Sequence, residues 1–240
     1  MLFIVSTPIG NLKDISFRAV ETLQTVDLIA AEDTRHTKIL CDHYEIKTPL
    51  TSYFEHNQLK KGEVLLNLLK EGKSIALVTD AGTPGISDPG YHLVRLAKEN
   101  NIPLTVVPGS TALIAALSLS GLPTDRFIFE GFLPVKSLAR RKKLESFKEE
   151  IRTIIFYESP YRLIKTLKDI EEVLENPFLV CAREITKKFE EIKEGRANIL
   201  HQHFTKTKPR GEFVLVLNQS DLFHPGCGTG YCPKLTCSPA

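Results

Sequence analysis

The chain has 240 residues, of which 42% are hydrophobic and 25% are charged, a composition typical of a protein that forms a hydrophobic core in water. Its 31 basic and 29 acidic residues give a net charge of +2, so the overall charge does not indicate a nucleic-acid partner. No apolar run approaches the roughly 20 residues that span a bilayer, and Met1–Val5 lacks the basic segment of a signal peptide. We therefore predict a cytoplasmic protein without a membrane partner.

The five cysteines indicate neither a disulfide framework nor a metal site. Cys41 and Cys181 are isolated, and Cys227, Cys232 and Cys237 are too far apart for the close C-x₂₋₄-C pairs of zinc sites. The histidines show no metal spacing either, so we predict no metal. Because residues 223–240 are rich in turn-forming residues and lack apolar periodicity, we predict a disordered tail there.

The first half of the chain alternates predicted strands with predicted helices. Asp88-Pro89 is expected to give the N-cap and first residue of one helix, and Ser110 the N-cap of another. Gly72 is expected to follow the end of a third. The predicted strands are Leu2–Val5, Leu28–Ala31, Ile75–Thr79 and Leu104–Val107, and the predicted helices cover about 16–25, 58–71, 88–101 and 110–120.

The second half repeats this alternation. Strands are predicted at 127–132, 153–157, 178–182 and 213–217, with a basic helix between the first two. Ser159-Pro160 resembles another helix start, and one apolar helix face follows it, made of Leu163, Leu167, Ile170 and Leu174. The alternation predicts an α/β fold with two α/β domains, residues 1–117 and 118–222.

Three loops rich in glycine and proline follow predicted strands of the first half, at residues 7–11, 80–90 and 108–112. In open α/β sheets ligands bind beyond the carboxyl ends of the strands, so three such loops at one edge predict a ligand site. None of them matches a G-x-G-x-x-G fingerprint or a P-loop, which argues against NAD and ATP. A nearly neutral or zwitterionic ligand fits better, with an adenosine held by backbone amides and Asp80.

Six motifs then occur in a fixed order: T-P-I-G-N-L (7–12), E-D-T-R (32–35), D-A-G-T-P-G-I-S-D-P-G (80–90), Y-E-S-P-Y-R (157–162), E-I-T-K (184–187) and R-G-E-F-V (210–214). Together they closely resemble the ribosomal RNA small subunit methyltransferase I family, part of the tetrapyrrole methylase superfamily. The resemblance implies two α/β domains of the class III methyltransferase type, with S-adenosyl-L-methionine in the cleft between them. It also implies a homodimer that methylates the 2′-oxygen of a cytidine in small-subunit (16S) ribosomal RNA.

With that cofactor, the three loops supply the expected binding residues, because glycine lets the backbone approach a ligand closely. These residues are Pro8, Gly10, Asp80, Gly82, Thr83, Gly85, Ser110 and Thr111. The implied partner is small-subunit ribosomal RNA or the assembled small subunit, and not DNA.

Catalysis at a ribose hydroxyl requires a proton acceptor, because the hydroxyl is a poor nucleophile. Asp33 and Glu158 are both candidates, and Arg35 could orient a phosphate or ribose. The sequence does not choose between the two carboxylates.

Two basic segments are candidates for contact with RNA phosphates. One is the run Arg140, Arg141, Lys142 and Lys143, with Lys136 before it. The other consists of Lys206, Lys208 and Arg210. Four consecutive cations without an intervening acid favour phosphate contact over a merely solvated face.

Two alternatives use the same residues differently. A small-molecule methylase would act on a tetrapyrrole or corrin ring with the same cofactor cleft. The second alternative is an RNA-binding relative without catalytic activity. E-D-T-R and E-S-P-Y-R favour the RNA enzyme over the first alternative.

Overall fold

A computed structural model describes residues 1–219, which form two α/β units, each built on one five-stranded sheet. The strands are β1 Leu2–Val5, β2 Leu28–Ala31, β3 Leu50–Ser52, β4 Ile75–Val78, β5 Leu104–Val107, β6 Phe127–Phe132, β7 Thr153–Glu158, β8 Phe178–Arg183, β9 Glu191–Arg196 and β10 Phe213–Leu217. The helices are α1 Phe17–Thr25, α2 Thr34–His43, α3 Gln58–Lys70, α4 Tyr91–Glu99, α5 Ala112–Leu119, α6 Ser137–Glu145, α7 Leu163–Val173 and α8 Ala197–Thr207. Across residues 1–219, no helix is long and apolar enough to cross a bilayer.

The first sheet has the order β3-β2-β4-β1-β5, and all its strand pairs are parallel. Helices α1 and α2 cover one face through Leu23 and Leu40, and α3 and α4 cover the other through Leu65 and Leu93. Cover on both faces explains why these strands are nearly continuous apolar runs. The carboxyl ends of β4, β1 and β5 are adjacent, so the three glycine-proline loops leave the sheet at one edge.

The second sheet has the order β6-β7-β10-β8-β9 and is mixed. Only β6 and β7 pair in parallel, and the other neighbours are antiparallel. Helices α6, α7 and α8 pack on one face around Phe156 and Phe204. The predicted apolar face of α7 is confirmed, because Leu163, Leu167 and Ile170 are fully buried there.

Helix α5 links the two sheets. It begins directly after the third glycine-proline loop, yet Leu113 and Ala116 pack against Ile155 and Val214 of the second sheet. The predicted domain boundary after residue 117 therefore falls inside a helix that covers the second sheet, and it stays a prediction. The predicted tail at 223–240 lies outside the described residues.

Three predicted helix starts are wrong. Helix α4 has Gly90 as its N-cap and begins at Tyr91, not at Pro89 after an N-cap at Asp88. The chain first turns back on itself, so that a Cβ on Gly90 would lie 2.9 Å from the backbone nitrogen of Gly85. Helix α5 begins after Thr111, and the Ser110 hydroxyl instead donates to the Asp14 carbonyl at 3.4 Å. Helix α7 begins at Leu163, after a turn that starts at Ser159.

Four elements escaped the sequence patterns: α2, β3, β9 and α8. Helix α2 follows the E-D-T-R motif, where the Asp33 side chain caps the helix by accepting from the backbone N–H of Arg35 at 2.8 Å. Strand β9 lies at the edge of its sheet and reads E-I-K-E-G-R, which lacks the apolar run of a buried strand. A strand of this composition resembles a loop in sequence.

Candidate functional site

The three glycine-proline loops are joined directly by hydrogen bonds. Thr7 and Gly82 exchange backbone N–H···O bonds of 2.8 and 3.1 Å, which tie the first loop to the second. The Thr83 hydroxyl lies 2.9 Å from the Ser6 hydroxyl and 3.0 Å from that of Thr111, which brings in the third loop. The edge of the first sheet therefore carries one continuous rim of polar backbone and hydroxyl groups.

An interdomain cavity of about 340 Å³ opens beside this rim. Among the residues predicted from sequence, Gly82, Thr83, Thr111 and Glu158 line it. Apolar side chains of both domains complete the wall, among them Ile9, Ile86, Phe132, Ile185 and Val214.

A second cavity, of about 450 Å³, lies on the other side of the first loop. Pro8, Gly10 and Asp80 line this second cavity, together with His36 and Leu40 of α2. The structure therefore divides the predicted cofactor residues between two neighbouring cavities.

Four other predicted site residues contact neither space. Of the part of the chain that the structure describes, Gly85, Ser110, Asp33 and Arg35 line neither cavity.

Asp33 and Arg35 bind each other at the start of α2. The Arg35 Nη2 lies 2.6 Å from Asp33 Oδ2, and the Arg35 backbone N–H also donates to this carboxylate. The hydrogen bonds from the Arg35 side chain and backbone hold the pKa of Asp33 well below its usual range. This geometry makes Asp33 a helix cap that is ionised at any ordinary pH.

Asp80 and Glu32 connect the carboxyl ends of β4 and β2. The Asp80 carboxylate accepts from the backbone N–H of Asp33 at 3.0 Å. Glu32 accepts from the Thr79 hydroxyl at 2.5 Å and from the Asp80 backbone N–H at 3.2 Å. Burial, with the charge of Glu32 adding to it, raises the pKa of Asp80.

Asp88 is a site residue that the sequence reasoning missed by reading it as a helix cap. It lines the interdomain cavity, and burial together with the nearby charge of Glu32 raises its pKa to about 6. The only signal in the sequence was its position within the longest glycine-proline loop. A carboxylate with a strongly shifted pKa at a cavity wall is a typical functional residue.

The interdomain cavity is acidic. Among residues 1–219, four carboxylates line it, those of Asp88, Glu158, Glu184 and Glu212, against the single ammonium of Lys187. Glu184, Lys187 and Glu212 come from the E-I-T-K and R-G-E-F-V motifs, to which the sequence assigned no role. A cavity with this excess of negative charge favours a ligand that carries positive charge.

Glu158 is held firmly in place at the end of β7. Its side chain is buried and accepts from the Ser159 backbone N–H at 2.7 Å and from the Thr166 hydroxyl at 2.5 Å. Arg162 lies 3.3 Å away as its counter-charge. Both carboxylate oxygens are therefore already engaged.

The first basic segment does not present four free cations. Arg140 is buried against Asp169, Arg141 contacts Asp169 and Glu172, and Lys143 contacts Glu130. The interpretation of this run as a phosphate-binding face is therefore wrong for Arg140, since its guanidinium is inaccessible. The acids that pair with these cations come from other elements, so the run itself gave no sign of them.

The second basic segment is more open. Lys208 and Arg210 line a recess of about 300 Å³ together with Arg183 and His203, and Glu191 is the one acid among its lining residues. We call this space the basic recess. The Arg183 Nε donates to the Arg210 carbonyl at 2.7 Å, which fixes the loop before β10. Lys206 belongs to α8 and lies outside the recess.

Comparison with known proteins identifies the family. A model for tetrapyrrole (corrin/porphyrin) methylases matches residues 1–200. A Synechocystis protein named ribosomal RNA small subunit methyltransferase I is 54% identical over 218 residues, which are 90% of this chain and 78% of the relative. The chain belongs to the ribosomal RNA small subunit methyltransferase I family. It is therefore a methyltransferase, and the resemblance found in the six motifs is confirmed.

Another member of the ribosomal RNA small subunit methyltransferase I family, from Thermotoga maritima, is 50% identical over 217 residues, covering 90% of this chain and 97% of the relative. Among solved structures, a uroporphyrin-III C-methyltransferase from Thermus thermophilus complexed with S-adenyl homocysteine gives a TM-score of 0.63 at 18% identity. The match covers 90% of this chain and 96% of that one. The predicted fold, two α/β domains of the tetrapyrrole methylase type, is confirmed.

Proposed function

We propose that this chain transfers a methyl group from S-adenosyl-L-methionine to the 2′-oxygen of a cytidine ribose in small-subunit ribosomal RNA. The observation that carries the proposal is the acidic interdomain cavity beside the rim of three loops. Its volume lies within the range typical of small-molecule sites. Identity of about half to relatives named for ribosomal RNA supports the choice of acceptor.

The residues at the cavity suit this cofactor chemically. S-adenosylmethionine carries a positive sulfonium, and four carboxylates against one ammonium provide complementary charge. Apolar side chains such as Ile9 and Val214 offer contact for an adenine ring. We propose that Gly82, Thr83 and Thr111 hold the cofactor with Asp88.

The remaining predicted residues have more indirect proposed roles. Pro8, Gly10 and Asp80 would act from the second cavity. Gly85 and Ser110 would shape the loops, since Gly85 contacts Gly90 and Ser110 contacts Asp14.

When bound, the cofactor supplies an electrophilic methyl group, and the protein aligns the acceptor with it. An in-line displacement depends strongly on this alignment, so a rim fixed by hydrogen bonds among Ser6, Thr83 and Thr111 favours the reaction.

A proton acceptor is needed for the acceptor hydroxyl. Glu158 lines the cavity but uses both oxygens in hydrogen bonds, and Asp33 lies outside the cavity with Arg35 as its partner. Asp33 and Glu158 are both still proposed as the proton acceptor, and Arg35 is still proposed to orient a phosphate. Comparison of Asp33→Asn with Glu158→Gln tests the two carboxylates. The variant that lacks the proton acceptor should lose turnover while it still binds S-adenosylmethionine and RNA.

The proposal is tested by mapping 2′-O-methylation in ribosomal RNA from cells with and without this gene. One ribose methylation should disappear with the gene, and purified protein with S-adenosylmethionine should restore it. The control is RNA with 2′-deoxyribose at the target, whose undiminished methylation would overturn the ribose assignment. Methylation of a tetrapyrrole but not of RNA would support the small-molecule alternative. Absence of cofactor binding by calorimetry would support the inactive RNA-binding alternative.

We further propose that the protein acts in the cytoplasm as a homodimer on ribosomal RNA or the assembled small subunit. Large apolar side chains on the surface support self-association, since Phe17 and Tyr161 are each 92% exposed. Light scattering tests the dimer, and a monomeric mass at micromolar concentration would contradict it.

A further inference from the structure

The interdomain cavity and the second cavity share a wall. Four residues line both spaces: Ile9, Ala81, Lys187 and Glu212. Ligands in the two cavities would meet at this boundary, because direct methyl transfer requires the acceptor oxygen to contact the methyl carbon with no side chain between them. Of the four residues, only Lys187 and Glu212 carry polar side chains that could contact the reacting atoms.

Lys187 has hydrogen-bonding capacity to spare at this wall. Its ammonium donates to Glu184 Oε1 at 3.0 Å and to Glu212 Oε2 at 2.9 Å. An ammonium has three N–H donors, so these two acceptors leave one donor for a ligand. Burial lowers the pKa of Lys187, but the hydrogen bonds to Glu212 and Glu184 outweigh it and raise the pKa. Lys187 is therefore a charged donor at neutral pH and not a base.

The chain around Lys187 is built to bring it to this position. Glu184 and Thr186 both adopt left-handed backbone conformations, with φ of 48° and 68°, which non-glycine residues rarely adopt. A Cβ on Gly10 would lie 2.4 Å from Lys187 Cγ, so only glycine lets the lysine stem cross the first loop there. Strained backbone of this kind is characteristic of functional sites.

The second cavity suits a single unpaired nucleotide. Its volume of about 450 Å³ lies within the range of small-ligand sites, and the loop at 7–11 and helix α2 enclose it. Sequence-specific RNA recognition mostly uses such unpaired nucleotides, whose bases can leave the stack.

We propose that the second cavity binds the acceptor ribonucleotide and that Lys187 donates a hydrogen bond to its 2′-oxygen, while Glu212 accepts the hydroxyl proton. This inference rests on the proposed function, and it assigns the proton acceptor to Glu212 in place of Asp33 and Glu158, whose carboxylate oxygens are already engaged in hydrogen bonds. In the step, the 2′-oxygen forms a bond to the methyl carbon while the carbon–sulfur bond breaks, and the electron pair stays on sulfur. The proton moves to the Glu212 carboxylate, whose side chain is 79% exposed and can release it to water. Glu184 is only 17% exposed and already accepts from the Glu212 backbone N–H, so it holds Lys187 in position.

A binding experiment without cofactor tests the contact directly. Two small-subunit RNAs are compared that differ only in ribose or 2′-deoxyribose at the nucleotide that the wild type methylates. The wild type should bind the ribose form about tenfold more tightly, as expected for one hydrogen bond to a charged group. Lys187→Met should lose this preference, and Lys187→Arg, which keeps a charged donor, should retain part of it.

Lys188→Met is the matched control. It removes the same charge one residue further along, where the ammonium lies over the Phe189 ring and lines neither cavity. This variant should keep the preference for ribose. If Lys187→Met keeps the preference too, or if Lys188→Met loses it equally, the proposed contact is wrong.

Kinetics test the proton acceptor and separate this inference from the proposed function. Measured at saturating S-adenosylmethionine, Lys187→Met and Glu212→Gln should each lower kcat by about a hundredfold or more, while Lys187→Met, which removes a cation from the cavity, should not weaken S-adenosylmethionine binding in calorimetry. If the wild type methylates no RNA ribose, the proposed function fails. If it does and both variants keep the wild-type kcat, the function stands and this inference fails.

Discussion

The Arg140 guanidinium lies 2.6 Å from the Asp169 carboxylate, and the two side chains are only 4% and 8% exposed. The Arg140 Nη1 also donates to the Val135 carbonyl at 3.1 Å, so the pair joins α7 to the segment that precedes α6. We predict that Arg140→Met lowers the free energy of unfolding by about 2–3 kcal/mol, because the buried Asp169 loses its buried partner and keeps only the more exposed Arg141 as counter-charge. Urea unfolding measures this loss.

The control for Arg140 is Lys142→Met on the same helix. Lys142 is exposed, and such surface changes usually alter stability by less than about 0.5 kcal/mol. Equal effects of the two substitutions would contradict a structural role for Arg140.

Cofactor affinity should depend on the ionisation of Asp88. Its pKa of about 6 means that the carboxylate is mostly protonated at lower pH and mostly charged at neutral pH. Binding of S-adenosylmethionine should therefore strengthen as the pH rises through 6, because the charged form attracts a cation. Calorimetry across this range measures the effect, and Asp88→Asn should bind more weakly with a flat profile. A wild-type affinity that does not change with pH would rule out this role.

Asp88 should also affect stability, in the opposite direction. Its pKa is about 6 in the folded protein against an ordinary value of 3.8, so protonation stabilises the folded state. That stabilisation is complete below the lower value and is lost as the pH rises through the higher one. At neutral pH, Asp88→Asn should therefore have a higher Tm than the wild type, and the difference should shrink toward about pH 4. A lower Tm for the variant at neutral pH would contradict this prediction.

Gly82 should be required for the rim of three loops. Its φ is 92°, a conformation that costs a non-glycine residue about 1–2 kcal/mol, and its backbone carries the bonds to Thr7. Gly82→Val should therefore abolish cofactor binding in calorimetry while the far-ultraviolet circular dichroism stays native.

Gly121→Ala is the comparison for Gly82. Gly121 has a φ of 66° with open space around it, and it lines neither cavity. Gly121→Ala should lower the free energy of unfolding by an amount similar to that of Gly82→Val and should still bind the cofactor. Normal binding by Gly82→Val would place the cofactor elsewhere.

The basic recess should contribute to RNA affinity through phosphates. Replacing Lys208 and Arg210 with glutamine should weaken RNA binding and reduce the slope of log affinity against log salt by about one to two units. Filter binding at several salt concentrations measures both effects. The same double change at Lys70 and Lys98, which are exposed on α3 and α4, should leave the slope nearly unchanged. Equal slopes for the two double variants would show that the basic recess does not contact RNA phosphates.

The buried strands were predictable from the sequence to within a residue or so. Leu2–Val5 and Leu28–Ala31 are continuous apolar runs that match β1 and β2, because both strands lie between covering helices. Leu104–Val107 also matches its strand, although β5 lies at the edge of the sheet and is only partly buried. The N-cap predicted at Asp88 lies at Gly90 instead, because the close approach of Gly90 to Gly85 delays the start of α4 by two residues. Local cap signals do not contain that tertiary contact.

The site was predictable in its loops but not in its charges. The Arg140 run has no acid within it, and its partners Asp169 and Glu130 belong to other elements. Lys187 likewise meets Glu212 only when the C-terminal domain folds, and it meets the first loop only when the two domains come together. Sequence motifs identified these segments, but pairing between distant segments determined which charges stayed accessible.

The crossing of α5 from one sheet to the other has a consequence for how the polypeptide can be divided. A protein cut after residue 117 would leave the last two residues of α5 behind and expose the apolar faces of Ile155 and Val214 in the C-terminal piece. The N-terminal piece would carry Leu113 and Ala116 without the second sheet that they pack on. The natural unit of exchange between relatives, in chimaeras or in evolution, is therefore the second sheet together with the whole of α5.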